Sequence, residues 1–262
     1  MMRRFMAAFW QWDRPTQIAL GLAVAFLIVA VSLYLLDVPD LREPATVAMF
    51  GLVIIIQIIV MWGNRGMVTP YTRAQRLYLD GEMQQSIELL ELYRGQEKAD
   101  FRMLTLLGNA YRQMGELQRS AQALREALAL RPNHHFPQYG FGRTLLIEGY
   151  FAEAIEAFQQ AHEAGAPDIV QADLGEAYYR AGDLAAARQT LERAVMVTGE
   201  PYQALMTTYL LYRLDAGPPP DAALLQAGLP YWEAVSARFA QIPYGQMLAN
   251  DIDSMRAITQ EK

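Results

Sequence analysis

Four glycines recur at a near-constant interval: Gly81, Gly115, Gly149 and Gly182, with spacings of 34, 34 and 33 residues. A fixed period in this range marks a solenoid. Each unit buries its apolar face only by stacking on a neighbour. A chain built this way exposes a long, repetitive surface, and such surfaces serve binding.

Composition narrows the function classes. The chain of 262 residues carries a net charge of -6, which disfavours nucleic acid, because neutralising phosphate needs clustered Lys and Arg. It has no cysteine, so disulfides, thiolate zinc sites, iron–sulfur clusters and cysteine nucleophiles are excluded. Hydrophobic residues reach 53% and concentrate near the N-terminus.

That excess sits in two uncharged runs, Gln17–Leu36 and Pro44–Trp62, each about as long as a bilayer core requires. The loop Asp37–Glu43 joins them as a tight antiparallel hairpin and carries three acids, Asp37, Asp40 and Glu43, against Arg42. The outer flanks carry Arg3, Arg4 and Arg14 on one side and Arg65, Arg73 and Arg76 on the other. Basic residues stay on the cytoplasmic side, so both termini are expected there, at a bacterial inner membrane. Trp10, Trp12 and Trp62 fall at headgroup depth, and residues 1–16 form an interfacial segment. Gln57 is the one strongly polar side chain within the second run; such an amide ordinarily bonds a neighbouring helix. Gly21 and Ala25 make a small-xxx-small pair.

Aligned on the glycines, one unit contains Leu104, Leu107, Gly108, Tyr111, Gly115, Ala121, Leu124, Ala127 and Pro132. The next contains Tyr139, Gly142, Leu145, Gly149, Ala154, Phe158 and Ala161, and a third Leu174, Gly175, Tyr178, Gly182, Ala187, Leu191 and Ala194. Ala74, Leu77, Gly81, Ser86 and Leu90 form a degenerate earlier unit. The pattern L-x-x-L-G-x-x-Y followed by A-x-x-x-F/L-x-x-A resembles the tetratricopeptide repeat. That resemblance implies an all-α solenoid of helix pairs. Residues 201–214 look like the first helix of a fifth unit, with Thr208 at the small position and Pro218, Pro219 and Pro220 interrupting the turn. The expected plan is an interfacial segment (1–16), two transmembrane helices (17–62), a linker (63–69), repeats (70–214) and C-terminal capping helices (215–262). Asp221 is the expected N-cap of a helix through Ala227, and Pro230 and Pro243 mark further helix starts.

Nothing in the chain has the pattern of a catalytic centre. His134 and His135 are adjacent in a turn, His162 is isolated, and no third ligand stands at metal spacing. Gly140-Phe141-Gly142 follows no strand, so packing explains it better than phosphate binding. The expectation is a non-enzyme without cofactor, metal or small-molecule substrate.

In tetratricopeptide-like folds the first helix of each pair lines a concave groove. The resemblance places Arg102, Asn109, Arg112, Gln113, Phe136, Tyr139, Arg143, Glu176, Tyr179, Arg180, Tyr209, Tyr212 and Arg213 there, at solvent-facing positions. Tyr and Arg are favoured in interface hot spots. Some family members clamp a C-terminal carboxylate with Lys and Asn; this chain keeps Asn109 but has Thr105 where the Lys is expected. The groove is expected to take an acidic protein segment held by Arg112, Arg143 and Arg180. The reading is a membrane-anchored adaptor that recruits or assembles a membrane-associated protein. Two alternatives stand beside it. In one, the hairpin is an integral accessory subunit of a transport or energy-conversion complex and the repeats are its soluble arm. In the other, the repeats lie outside the cytoplasm.

Overall fold

The computed structural model describes residues 9–10, 12–36, 41–64, 69–197 and 199–258. Arg3, Arg4, Asp37, Asp40 and Arg65, with most of the expected interfacial segment, hairpin loop and linker, lie outside them. The described residues form thirteen helices and no strand. They divide into two compact units, 1–69 and 70–262.

The first unit is a helical hairpin, α1 (Arg14–Leu35) and α2 (Arg42–Asn64). Asp13 caps α1 by accepting from the Thr16 amide at 3.3 Å. The two helices run antiparallel. At one end Trp12 is buried against Gly63, where an added Cβ would lie 2.5 Å from the indole. At the other, the Arg42 guanidinium sits 5.4 Å from the Tyr34 ring centre. Leu20, Ala23, Ala30 and Ala45 are buried, while Ile18, Phe26, Val47, Phe50 and Ile58 point outward, each more than half exposed. Trp10 and Trp62 are exposed as well.

The second unit stacks helix pairs: α3 (Pro70–Leu79) with α4 (Met83–Gly95), α5 (Phe101–Gln113) with α6 (Leu117–Leu130), α7 (His135–Glu148) with α8 (Phe151–Glu163), and α9 (Val170–Ala181) with α10 (Leu184–Ala194). Each pair turns at one of the four periodic glycines, whose φ values lie between +80° and +86°. Only glycine adopts this conformation without a steric penalty.

The packing rule inside each pair follows from the same period. The residue seven before the turn glycine is small (Ala74, Gly108, Gly142, Gly175), and the residue nine after it is large (Leu90, Leu124, Phe158, Leu191). Across α5 and α6 a Cβ on Gly108 would lie 2.5 Å from Leu124; on Gly142 it would meet Phe158 at 2.7 Å, and on Gly175 Leu191 at 2.5 Å. Missing side chains therefore let the two backbones approach closely around one large residue. Five residues after each turn glycine stand Ser86, Ser120, Ala154 and Ala187, all fully buried. This corrects the sequence reading, which put Ala121 in that register. A buried serine is tolerated there because its hydroxyl finds a partner: Ser86 donates to the Ala74 carbonyl at 2.9 Å, and Ser120 pairs with Thr144 at 2.9 Å.

The series continues to α11 (Pro201–Arg213) and ends at Asp215, 33 residues after Gly182, in the left-handed conformation with φ +53°. An aspartate here hides the fifth turn from a search for glycine. Beyond it the pattern stops. α12 (Ala222–Arg238) begins at Asp221, which accepts from the Leu224 amide at 2.8 Å. The expected helix start at Pro230 is corrected, because Pro230 lies inside α12. The helix tolerates the lost backbone bond because its flanks are anchored: Gly228 packs on Leu205, and the Trp232 indole donates to the Tyr202 carbonyl at 2.7 Å. α13 (Pro243–Ile258) closes the unit.

Candidate functional site

The face formed by α5, α7, α9 and α11 is the expected groove, and it is largely occupied. α12 crosses back over it. Tyr231 stacks on Tyr202 at 3.9 Å, its hydroxyl accepts from Arg143 at 3.1 Å, and Arg238 donates to Gln113 at 2.5 Å. α13 approaches α7 and reaches α9 and α11 through its side chains. Its Asp251 accepts from Arg180 at 2.6 Å and from the Tyr209 hydroxyl at 3.2 Å, and its Tyr244 donates to Glu176 at 3.1 Å.

Solvent exposure is therefore corrected for Arg112, Glu176, Arg180 and Tyr209, whose side chains are buried. Asn109, Gln113, Tyr139, Arg143 and Tyr179 are half-buried. Arg102, Phe136, Tyr212 and Arg213 are exposed. The physical reason is the C-terminal pair, which buries its apolar stripe (Leu248, Ile252, Met255) in one core with the repeat helices.

The three arginines expected to hold an acidic segment are each engaged differently. Arg180 bonds Asp251 and, at 3.2 Å, Glu176 of its own helix. Burial opposes its charge, but the two carboxylates outweigh it and raise its pKa. Arg143 stands 3.9 Å from Asp173, to which Tyr139 also donates a hydrogen bond. Arg112 donates to the Asn109 side chain at 2.8 Å and to the Gly140 carbonyl at 3.2 Å. No carboxylate pairs with it among the described residues. Burial, and then the neighbouring Arg143, lower its pKa to about 10. Between these groups and α12–α13 lies a cavity of about 20 Å³, lined by Arg112, Arg143, Asp173, Glu176, Tyr231 and Tyr244 among others. That is room for one water among polar partners. Burial raises the Glu176 pKa, partly offset by Arg180. A buried carboxylate among arginines and tyrosines favours a protein segment that brings its own aromatic hydroxyl and acid, as α13 does. It offers no space for a substrate.

At the start of the face the surface stays open. Arg102 pairs with Asp100 at 2.8 Å and covers the Tyr71 ring at 5.4 Å. Phe101, His134, His135 and Phe136 form an aromatic cluster with neighbouring ring centres 4.4–5.5 Å apart. His134 Nδ1 accepts from the Phe136 amide at 3.2 Å and starts α7, a structural use of this histidine. Among the described residues no group of three or more His, Asp or Glu is placed to hold a metal.

Sequence reading missed Asp173, Tyr231, Arg238, Tyr244 and Asp251. One signal was available: Asp251 interrupts the apolar stripe Tyr244, Leu248, Ile252, Met255, and an acid in such a stripe requires a buried cation opposite.

Residues 102–134 and 145–208 each match a family model described as tetratricopeptide repeat. Among solved structures the chain is similar to TTC0263, a thermophilic TPR protein in Thermus thermophilus, at 16% identity over 72% of this chain and 97% of that one, with a TM-score of 0.51. It is also similar to a MamA RS-1 double mutant (21% identity, 71% and 95% covered, TM-score 0.49) and to MamA residues 41-end from Desulfovibrio magneticus RS-1 (19%, 74% and 94%, TM-score 0.49). At these identities the likeness concerns the fold alone. No curated protein matches the chain. The two matched stretches fall on α5–α6 and on the end of α7 through α11, in register with the helix pairs described above, and over these residues the chain carries tetratricopeptide repeats.

Proposed function

We propose that this protein is a membrane-anchored, non-catalytic scaffold that recruits a membrane-associated protein partner. The observation that carries the reading is the contrast between its two units. α1 and α2 are long, uncharged between their ends and apolar on their outward faces, whereas the repeats bury their apolar residues within the stack. An exposed apolar surface of that size is stable in lipid and not in water. Trp12 against Gly63 sets the two outer ends of the hairpin side by side, which accords with both basic flanks facing the cytoplasm. Tetratricopeptide repeats serve protein partners. Because the C-terminal helices cover most of the first-helix face, the partner docks on its uncovered part, at Arg102 and Phe136, with Tyr212 and Arg213 at the far end.

Two measurements test this. Alkaline carbonate should leave the chain in the membrane pellet, and protease added to inside-out vesicles should remove the repeats. Photo-crosslinking from residue 136 should capture a protein, and Arg102→Glu with Arg213→Glu, both away from the crosslinker, should abolish that product. Release by carbonate overturns the anchor. An undiminished product from the double variant overturns the docking site.

A further inference from the structure

We infer that the outward face of α2 is a self-association surface, on which two copies of this chain pair along Val47, Phe50, Ile54, Gln57 and Met61 with their Gln57 carboxamides bonded to each other. The inference rests on the membrane reading above.

The starting observation is a missing partner. Gln17 donates to the carbonyls of Phe9 and Trp12 at 2.9 and 3.0 Å, Ser32 to Ile28 at 2.9 Å and Thr46 to Arg42 at 2.9 Å. Gln57 is exposed and its side chain makes no hydrogen bond among the described residues. In water that is ordinary. In hydrocarbon a carboxamide without partners is costly, and a neighbouring helix supplies the bonds. α1 is not that neighbour. Ala45, Leu52 and Gly63 mark the side of α2 turned toward α1, since Ala45 and Leu52 line the groove with Phe26 and Ala30, and Gly63 meets Trp12. At about 100° per residue, Gln57 lies about 120° from Ala45, on the far side.

The residues beside Gln57 form a seam. Val47, Phe50, Ile54, Gln57 and Met61 are spaced 3, 4, 3 and 4 apart, and the four apolar ones are each more than half exposed. Spacings alternating between three and four keep one stripe facing a parallel partner helix in a left-handed pair. Two features select a second copy as that partner. A carboxamide holds both a donor and an acceptor, so a two-fold pair satisfies both side chains with no third residue. And two chains inserted in the same sense bring Gln57 opposite Gln57, where one polar residue in an apolar seam also sets the register.

The absence of native cysteine makes the test direct. Single cysteines are placed at Phe50, Ile54 and Met61 on the seam, at Leu52 facing α1, and at Ala25 on the outward side of α1. Full-length chains are oxidised in native membranes. Covalent dimers should form at Phe50→Cys, Ile54→Cys and Met61→Cys and not at Leu52→Cys. Adding Gln57→Leu to Ile54→Cys should cut the dimer about tenfold, and Gln57→Asn should retain most of it. Carbonate extraction is run on every variant. A chain that stays in the pellet but gives no dimer, gives dimer evenly at all positions, or gives it at Ala25→Cys instead overturns the inference alone. Crosslinking from Ile54→Cys to a protein of different mass overturns it in favour of a foreign helix. Release by carbonate overturns the membrane reading and the inference with it.

Discussion

Arg180 and Asp251, 71 positions apart, meet at 2.6 Å with side chains only 5% and 9% exposed. This contact is the latch between the repeat face and the C-terminal helix that lies on it. Asp251 also accepts from Tyr209, which in turn accepts from Arg213 at 2.8 Å, so one carboxylate joins α13 to both α9 and α11.

Removing that carboxylate leaves a buried guanidinium with one partner fewer. Breaking a buried pair from one side costs about 3–5 kcal/mol, because the remaining charge loses its compensation and stays desolvated. Asp251→Ala should therefore lower the unfolding free energy of the detergent-solubilised chain by about that much. Asp251→Asn, which still accepts from Tyr209, should cost less. Chemical unfolding followed by circular dichroism measures both, and a loss below about 1 kcal/mol for Asp251→Ala would place the latch at the value of a surface ion pair.

The small-on-large rule predicts the sign of two glycine substitutions. Alanine is about 1 kcal/mol better than glycine inside a helix. At Gly142 its methyl would lie 2.7 Å from the Phe158 ring, which is fully buried and has nowhere to move. Overpacking of this kind costs about 1–3 kcal/mol, so it outweighs the helix gain. Gly142→Ala should destabilise the repeats. Gly21→Ala, with nothing within 4 Å of its Cβ, should not. Thermal melts of the two variants decide it.

Much of the repeat unit was legible because its information is periodic. Gly81, Gly115, Gly149 and Gly182 mark turns through a backbone conformation that only glycine takes easily, and the small and large positions follow at fixed offsets. The fifth turn was not legible, since Asp215 adopts the same conformation without glycine. The groove was misread for a different reason. Helix faces can be assigned from spacing, but whether a face meets solvent depends on what packs on it. The contacts of Asp251 with Arg180 and of Tyr244 with Glu176 span 71 and 68 residues. No local pattern specifies such a pairing. The acid within the apolar stripe of α13 indicated only that a cation was needed.

Acidification should weaken the second helix pair through Asp100. This residue caps α5 by accepting from the Met103 amide at 2.9 Å. Burial works to raise its pKa, but the Met103 amide and the Arg102 guanidinium outweigh it, so the folded value lies below the ordinary 3.8. The unfolded chain then binds the proton more readily. The stabilisation is fully present above about pH 4 and is lost as pH falls through the lower folded value. Asp100→Asn keeps a capping side chain and should flatten this acid limb, while Asp100→Ala should cost about 1 kcal/mol at pH 7. Unfolding measured from pH 2.5 to pH 7 separates them. An acid limb of equal slope in wild type and Asp100→Asn would assign the effect to other carboxylates.

The C-terminal pair should be releasable by a single methyl group at its turn. Gly245 lies so close to the preceding chain that a Cβ there would stand 2.0 Å from the Phe239 carbonyl oxygen and 2.3 Å from its carbon. These are backbone atoms, and no rotamer change relieves the clash. Ser236 also donates to the Gly245 carbonyl at 3.0 Å, which holds the end of α12 to the start of α13. Gly245→Ala must therefore reopen the turn. As it does, the Tyr244–Glu176 and Asp251–Arg180 contacts lose their alignment. The repeat pairs α5–α10 keep their own contacts, since their small-on-large packing does not involve α13. Hydrogen exchange should show protection lost in residues 222–258 and retained in residues 101–194. Trypsin should then cut after Arg238, which is held to Gln113 in the wild type. Loss of protection spread evenly over the whole repeat unit would mean that the C-terminal helices are part of one cooperative core. Unchanged protection would mean that the turn tolerates the methyl.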